Sequence, residues 1–144
     1  MTSSIAGTPN AAHCRLNADA HTAPFWAGTR EHRLSAPRCR HDGTFTLPPT
    51  GFCPTCRRQD LEWVDLLGQA ELYTFTVVRA PVVPELAETL PYVIAVVKLD
   101  GADDLKMITN IVECDVDDLR IGQRLQVVFV EQNDELTLPV FRPL

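Results

Sequence analysis

The residues predict a mainly β chain: a short N-terminal helix, a small cysteine-clasped ribbon and a five-stranded barrel. Three observations carry that prediction. Two ligand-rich turns, Cys39-Arg-His41-Asp42-Gly43 and Cys53-Pro-Thr-Cys56, flank Pro48-Pro49. From Gly68 onward, runs of β-branched and aromatic residues alternate with Pro, Gly and Asp breakers. Those runs fall as three strands, a short helical link and two more strands, which is the order of an OB-fold barrel.

Residues 1–21 are rich in Ser, Thr, Ala, Asn and Pro without an apolar period, and are expected to form a disordered tail. Residues 22–37 form the helical segment. Thr22 is placed to cap it, Pro24 suits its first turn, and the helix is expected over residues 23–33. The ribbon takes residues 38–62 and the barrel residues 63–144. Barrel strands are expected at residues 72–78, 92–99, 106–113, 125–131 and 136–141. Pro81, Pro84 and Pro91 make a loop between the first two strands, and Asp115 caps a helical turn ending near Gly122. Alternation places Tyr73, Phe75, Tyr92, Phe129 and Phe141 mostly in the core.

A Cys-x-x-Cys turn lets two thiolates converge on one Zn²⁺, and a second turn one hairpin later completes a tetrahedron, the plan of a rubredoxin-like zinc ribbon. The candidate ligands are Cys39, Asp42, Cys53 and Cys56, with His41 as the substitute for Asp42, because carboxylate and imidazole both ligate zinc. A ribbon that has lost its metal and leans on the barrel is the alternative. Phe25 and Trp26 read as core anchors or as contacts to a partner or acyl chain. Arg57 and Arg58 read as solvated surface or as phosphate contacts.

Charge is divided unevenly. Residues 1–59 carry seven arginines against three acidic residues, net +4, whereas residues 60–144 carry six basic and sixteen acidic residues, net −10. Single-strand binding needs a positive groove and aromatic platforms, so the acidic barrel argues against nucleic acid as partner. No catalytic residue is assigned. His13, His21, His32 and His41 all precede the barrel, which carries Cys114 as its only cysteine and Lys98 and Lys106 as its only lysines, a poor kit for nucleophilic or general-base work. No apolar run of membrane-spanning length occurs, and five cysteines, an odd number, fit a reducing compartment, so a cytoplasmic location is expected.

Several stretches together resemble one family: Pro24-Phe-Trp26, the ribbon from Cys39 through Pro48-Pro49 to Cys56, Pro91-Tyr92-Val-Ile-Ala-Val-Val-Lys-Leu-Asp100, Leu119-Arg-Ile-Gly122, Val127-Val-Phe129, and Leu138-Pro-Val-Phe-Arg-Pro143. They are similar, over about residues 22–144, to the zinc-ribbon and OB-fold family catalogued as domain of unknown function number thirty-five. The resemblance implies a non-catalytic companion of thiolase-fold acyl-CoA enzymes, such as thiolases, acyltransferases and aldolases that shorten steroid side chains, or of MaoC-type hydratases. It also implies a CoA thioester as ligand of the complex and, by symmetry with a dimeric enzyme, a two-plus-two hetero-tetramer. Asp42 stands where the family usually has cysteine, and Thr50 where an arginine often follows the proline pair. A single-stranded nucleic-acid binder and a free-standing acyl-CoA binder are the alternatives.

Overall fold

The computed structural model describes residues 4–144. The first element is helix α1 (Ala23–Arg30), followed by strands β1 (Ser35–Cys39) and β2 (Leu61–Asp65), which pair antiparallel as a two-stranded sheet. Strands β3 (Gln69–Val78), β4 (Tyr92–Leu99), β5 (Lys106–Ile111), β6 (Arg124–Glu131) and β7 (Thr137–Pro143) close a barrel in the order β3-β4-β5-β7-β6. The expected fold class is therefore the observed one: mainly β, with a helix, a ribbon and a five-stranded OB-fold barrel.

Helix α1 stops three residues earlier than expected. His32 takes a left-handed backbone conformation (φ 58°), and the Arg33 N–H turns back to the Gly28 carbonyl. Thr22 does not cap with its side chain; its hydroxyl accepts the Asp19 N–H, while Asp19 Oδ1 accepts the N–H groups of His21 and Thr22. Trp63, Val64 and Asp65, expected to lead into the barrel, instead pair with Pro37, Ala36 and Ser35 and complete the ribbon sheet. The change from ribbon to barrel comes at residues 66–68. Gly68 is required there: its φ is +79°, and a Cβ would lie 2.7 Å from Val127 Cγ1.

Alternation along the strands builds the core. Leu72, Val93, Val97, Ile111, Leu125 and Phe141 are fully buried, and Phe25 and Leu34 join them from the N-terminal segment. Of the five aromatic residues expected mostly in the core only Phe141 is fully buried, and Tyr92 is half-buried. A bulge between Leu72 and Thr74 turns Tyr73 outward, 48% exposed, where Lys106 Nζ lies 4.9 Å and Lys98 Nζ 6.0 Å from its ring centroid. Phe75 and Phe129 are only half-buried, and Phe129 carries the His32 ring stacked on its face at 5.2 Å.

The expectation of a disordered tail over residues 1–21 does not hold at residues 4–7, which are strapped to the barrel; residues 1–3 lie outside the described residues. Ile5 bridges Asp115, the Ala6 N–H donates to the Cys114 carbonyl, and the Gly7 N–H donates to the Pro91 carbonyl. Ala6 is buried, and a Cβ on Gly7 would run into the Thr89 carbonyl oxygen. Composition hid this because the strap is held mainly by backbone hydrogen bonds, which leave no apolar period. Its polar clasp is the Ser4 hydroxyl on Asp115 Oδ2 at 2.7 Å.

The Ser4 hydroxyl and then the Asp117 N–H hold the Asp115 carboxyl below its ordinary value of 3.8. A depressed carboxyl stabilises the fold above its unfolded value and loses that contribution as pH falls through the folded one. The protection of the Ala6 amide, its exchange relative to an unstructured amide at the same pH, is therefore expected to hold at pH 6 and to fall only below pH 3.8. Asp115→Asn should weaken the clasp at every pH, and unchanged exchange in that variant would remove Asp115 as the anchor.

Candidate metal centre and adjoining groove

The ribbon contains one turn twice. In the first, the Cys39 N–H donates to the Thr44 carbonyl and the Gly43 N–H to the Cys39 carbonyl; in the second, the Cys53 N–H donates to the Arg58 carbonyl and the Arg57 N–H to the Cys53 carbonyl. Gly43 (φ 80°) and Arg57 (φ 65°) occupy the same left-handed place. By that correspondence Asp42 stands where Cys56 stands. Arg57 thus shapes the second knuckle with its backbone, a role the sequence did not show because arginine rarely fills a left-handed site.

Both knuckles aim their ligands at one point. One ligand atom each from Cys39, Asp42, Cys53 and Cys56 lies within 4.8 Å of all the others. Cys39 Sγ is 3.6 Å from Cys56 Sγ, and Cys53 Sγ is 3.5 Å from both Asp42 carboxylate oxygens. Tetrahedral zinc with ordinary bond lengths separates two sulfurs by about 3.8 Å and a sulfur from a carboxylate oxygen by about 3.5 Å. The donor set fits the ion. His41 is not among the four: its Nδ1 lies 3.0 Å from Arg58 Nη1, so the two side chains engage each other on the surface.

Electrostatics agree with a cation-binding pocket. Cys39 and Cys53 are buried, Cys56 half-buried and Asp42 exposed. The Thr44 N–H, donating at 3.0 Å, keeps the Asp42 carboxyl far below the usual carboxylate range. Burial raises the Cys53 thiol, but the N–H groups of Cys56 and Thr55 outweigh it and the net shift is downward. For Cys56 the Arg58 N–H acts downward, yet burial and the neighbouring Cys39 and Cys53 push the thiol up to about 11. Three thiols and a carboxylate this close cannot all be anionic without a cation among them.

Beside the ribbon lies a groove of about 640 Å³. Its walls come from Phe25 and Trp26 on α1, residues 47–49 of the ribbon loop, residues 106–110 of β5 and residues 138–140 of β7. Phe25 is 8% exposed and belongs to the core; its ring meets Trp26 edge-on at 5.0 Å, leaving Trp26 half-buried at the groove wall. Arg57 and Arg58 are exposed on the ribbon and do not line the groove. The groove itself was missed in the sequence, since α1, the Pro48-Pro49 turn and two strands meet there only in three dimensions. No helix among the described residues is long and apolar enough to cross a membrane.

Comparison with known proteins agrees with this architecture. Residues 26–62 match the family model described as "ChsH2, rubredoxin-like zinc ribbon domain", and residues 63–130 match "ChsH2, C-terminal OB-fold domain". A "DUF35 domain-containing scaffold protein" of Methanocaldococcus jannaschii is 34% identical over 107 residues, covering 72% of this chain and 73% of that protein. A "Probable enoyl-CoA hydratase alpha subunit" of Thermomonospora curvata is 35% identical over 120 residues, covering 83% of this chain, which spans 36% of that relative's length. The solved structure "Ltp2-ChsH2(DUF35) aldolase" contains a chain with TM-score 0.80 and 32% identity, covering 90% of this chain and 98% of that one. A Sulfolobus solfataricus DUF35 structure at 12% identity and TM-score 0.58 shares the fold. With its zinc-ribbon and OB-fold domains both matched, and relatives of that similarity, this chain belongs to the DUF35 family of the ChsH2 type.

Proposed function

We propose that the chain is a non-catalytic companion subunit that docks on a thiolase-fold acyl-CoA enzyme and helps complete its site for the CoA-bound acyl group. The observation that carries this reading is the near-complete overlap, 98%, with a chain of the solved "Ltp2-ChsH2(DUF35) aldolase". Two relatives named as scaffold proteins support it, from Methanocaldococcus jannaschii and Methanothermobacter thermautotrophicus. The side chains are consistent with it. His32 lies on Phe129, His41 on Arg58, and His13 beside the exposed Cys14, arrangements that pair ring with ring, cation or thiol on the surface.

In this reading the ribbon is a rigid platform. Zinc, held by Cys39, Asp42, Cys53 and Cys56, supplies a cross-link between two knuckles that share little core of their own. The barrel carries the groove, and Trp26 offers the aromatic edge that faces an acyl chain or a partner side chain. Arg57 and Arg58 sit where a CoA phosphate or a partner carboxylate could meet them at the ribbon tip. The partner's reaction, whether aldol cleavage of a steroid side chain, thiolysis or hydration, belongs to the enzyme and not to this chain.

Co-expression of this chain with thiolase-fold enzymes from its own host tests the reading. A complex that survives size exclusion at physiological salt is expected, and elution of every component alone would sink it. For nucleic acid the expected result is a flat anisotropy titration with single-stranded oligonucleotide, because the barrel segment is net −10 and phosphate neutralisation supplies most such affinity. Salt-sensitive binding would reverse that.

A further inference from the structure

The barrel has a weak seam, and the groove lies along it. Strand β5 pairs with β4 at six consecutive positions, from Val93↔Ile111 to Lys98↔Lys106, but with β7 at Ile111↔Phe141 alone. Pro139 explains part of this, since it stands in β7 without an N–H to give. The Thr109 hydroxyl bonds the Pro139 carbonyl at 2.9 Å and stands in for a ladder bond.

The direction of the backbone groups follows from alternation. The Leu99 N–H donates to the Leu105 carbonyl, which marks Leu99 and Leu105 as a bonded pair; every second residue of β5, Met107 and Thr109, then points its backbone at β4. Lys106 and Ile108 therefore point theirs at the seam. The same parity is seen at Val112, whose N–H donates across the seam to the Phe141 carbonyl at 2.8 Å. Ile108 is also 76% exposed, the most water-facing apolar side chain in the barrel strands among the described residues.

We propose that the β5 edge at Lys106 and Ile108 is a strand-addition site, taken by an extended segment of the partner enzyme that lies in the groove. This rests on the companion-subunit reading and deepens it by naming the contact. Two seam-facing N–H groups and two carbonyls supply register, as in β-augmentation, while Trp26, Pro49, Ile108 and Leu138 receive alternate apolar side chains. Charge selects the segment. Lys106 is the one charged residue among the described residues lining the groove, and it lies at the same end as Lys98, the only other lysine in a chain of net −6. The segment is thus apolar at alternate positions and acidic where it passes Lys106.

Hydrogen exchange on the purified complex, its enzyme identified by mass spectrometry, tests this, with an Ile108→Pro variant alongside. The proline removes the seam-facing N–H and leaves the bonds of Met107 and Thr109 to β4 in place. Expected are at least about tenfold slower exchange of the Lys106 and Ile108 amides on complex formation and about tenfold weaker binding by the variant. A wild-type complex in which those amides exchange as fast as in the free chain would overturn the site and leave the companion reading intact. Failure of the wild-type chain to bind any such enzyme would overturn both. Two further results would also overturn it: protection that rises with concentration of this chain alone, which assigns the edge to a second copy, and protection by octanoyl-CoA without enzyme, which assigns the groove to an acyl chain.

Discussion

Stripped of metal by a strong chelator, the protein is expected to lose the ribbon's protection from exchange and about 4 kcal/mol of native-state stability. That figure corresponds to a metal supplied at about 1,000 times its dissociation constant. In a chain of this size it moves the melting midpoint by about 10 °C. The reason is local: the ribbon sheet is two five-residue strands, and its best-buried residues include Cys39 and Cys53 themselves. Without the ion, Cys39 faces Cys56 at 3.6 Å and Cys53 faces the Asp42 carboxylate at 3.5 Å with no cation to hold the two turns together. Cys53→Ala should reproduce the loss, and added zinc should not restore it. Asp42→Cys should keep the metal, because position 42 matches position 56 in the repeated turn. Freshly purified protein with less than about 0.2 equivalent of zinc, and no change on chelation, would show a ribbon that stands by packing alone.

Phe141→Ala is expected to be the most damaging single substitution in the barrel, costing about 3–5 kcal/mol. Small domains commonly have only about 5–15 kcal/mol to lose. Phe141 is 0% exposed, pairs with Val127 on β6, and forms the single ladder contact with Ile111 across the seam. Its truncation leaves a cavity at the place where closure of the barrel is thinnest. The substitution should therefore also speed exchange of the Val112 amide, which donates to the Phe141 carbonyl. Urea denaturation gives the first quantity and exchange the second. A loss below about 1 kcal/mol would mean that the seam does not depend on this side chain.

Legibility followed the physics of each segment. The strands of the barrel could be read because alternation and β-branched runs are imposed by a half-buried pleat; the expected residues 92–99 are the observed β4. That Cys39, Asp42, Cys53 and Cys56 come together could be read because each turn places its first and fourth residues on one side. What could not be read depended on tertiary pairing. Residues 63–65 look like the start of a barrel strand, yet their partners lie twenty-six or more residues back in β1. Tyr73 looks like core until the bulge shifts the register. Residues 4–7 look like a tail because their attachment is backbone to backbone. His41 and Asp42 could not be separated by composition; the turn of the backbone gives one to Arg58 and the other to the thiols.

Native mass spectrometry of the complex recovered from the source organism through a tag on this chain bears most directly on the companion role. It reads partner, stoichiometry and metal together. The expected spectrum holds a thiolase-fold subunit, two copies of each chain and one zinc per copy of this one. A bare monomer or homodimer at physiological salt, recovered from cells that contain such enzymes, would contradict the account.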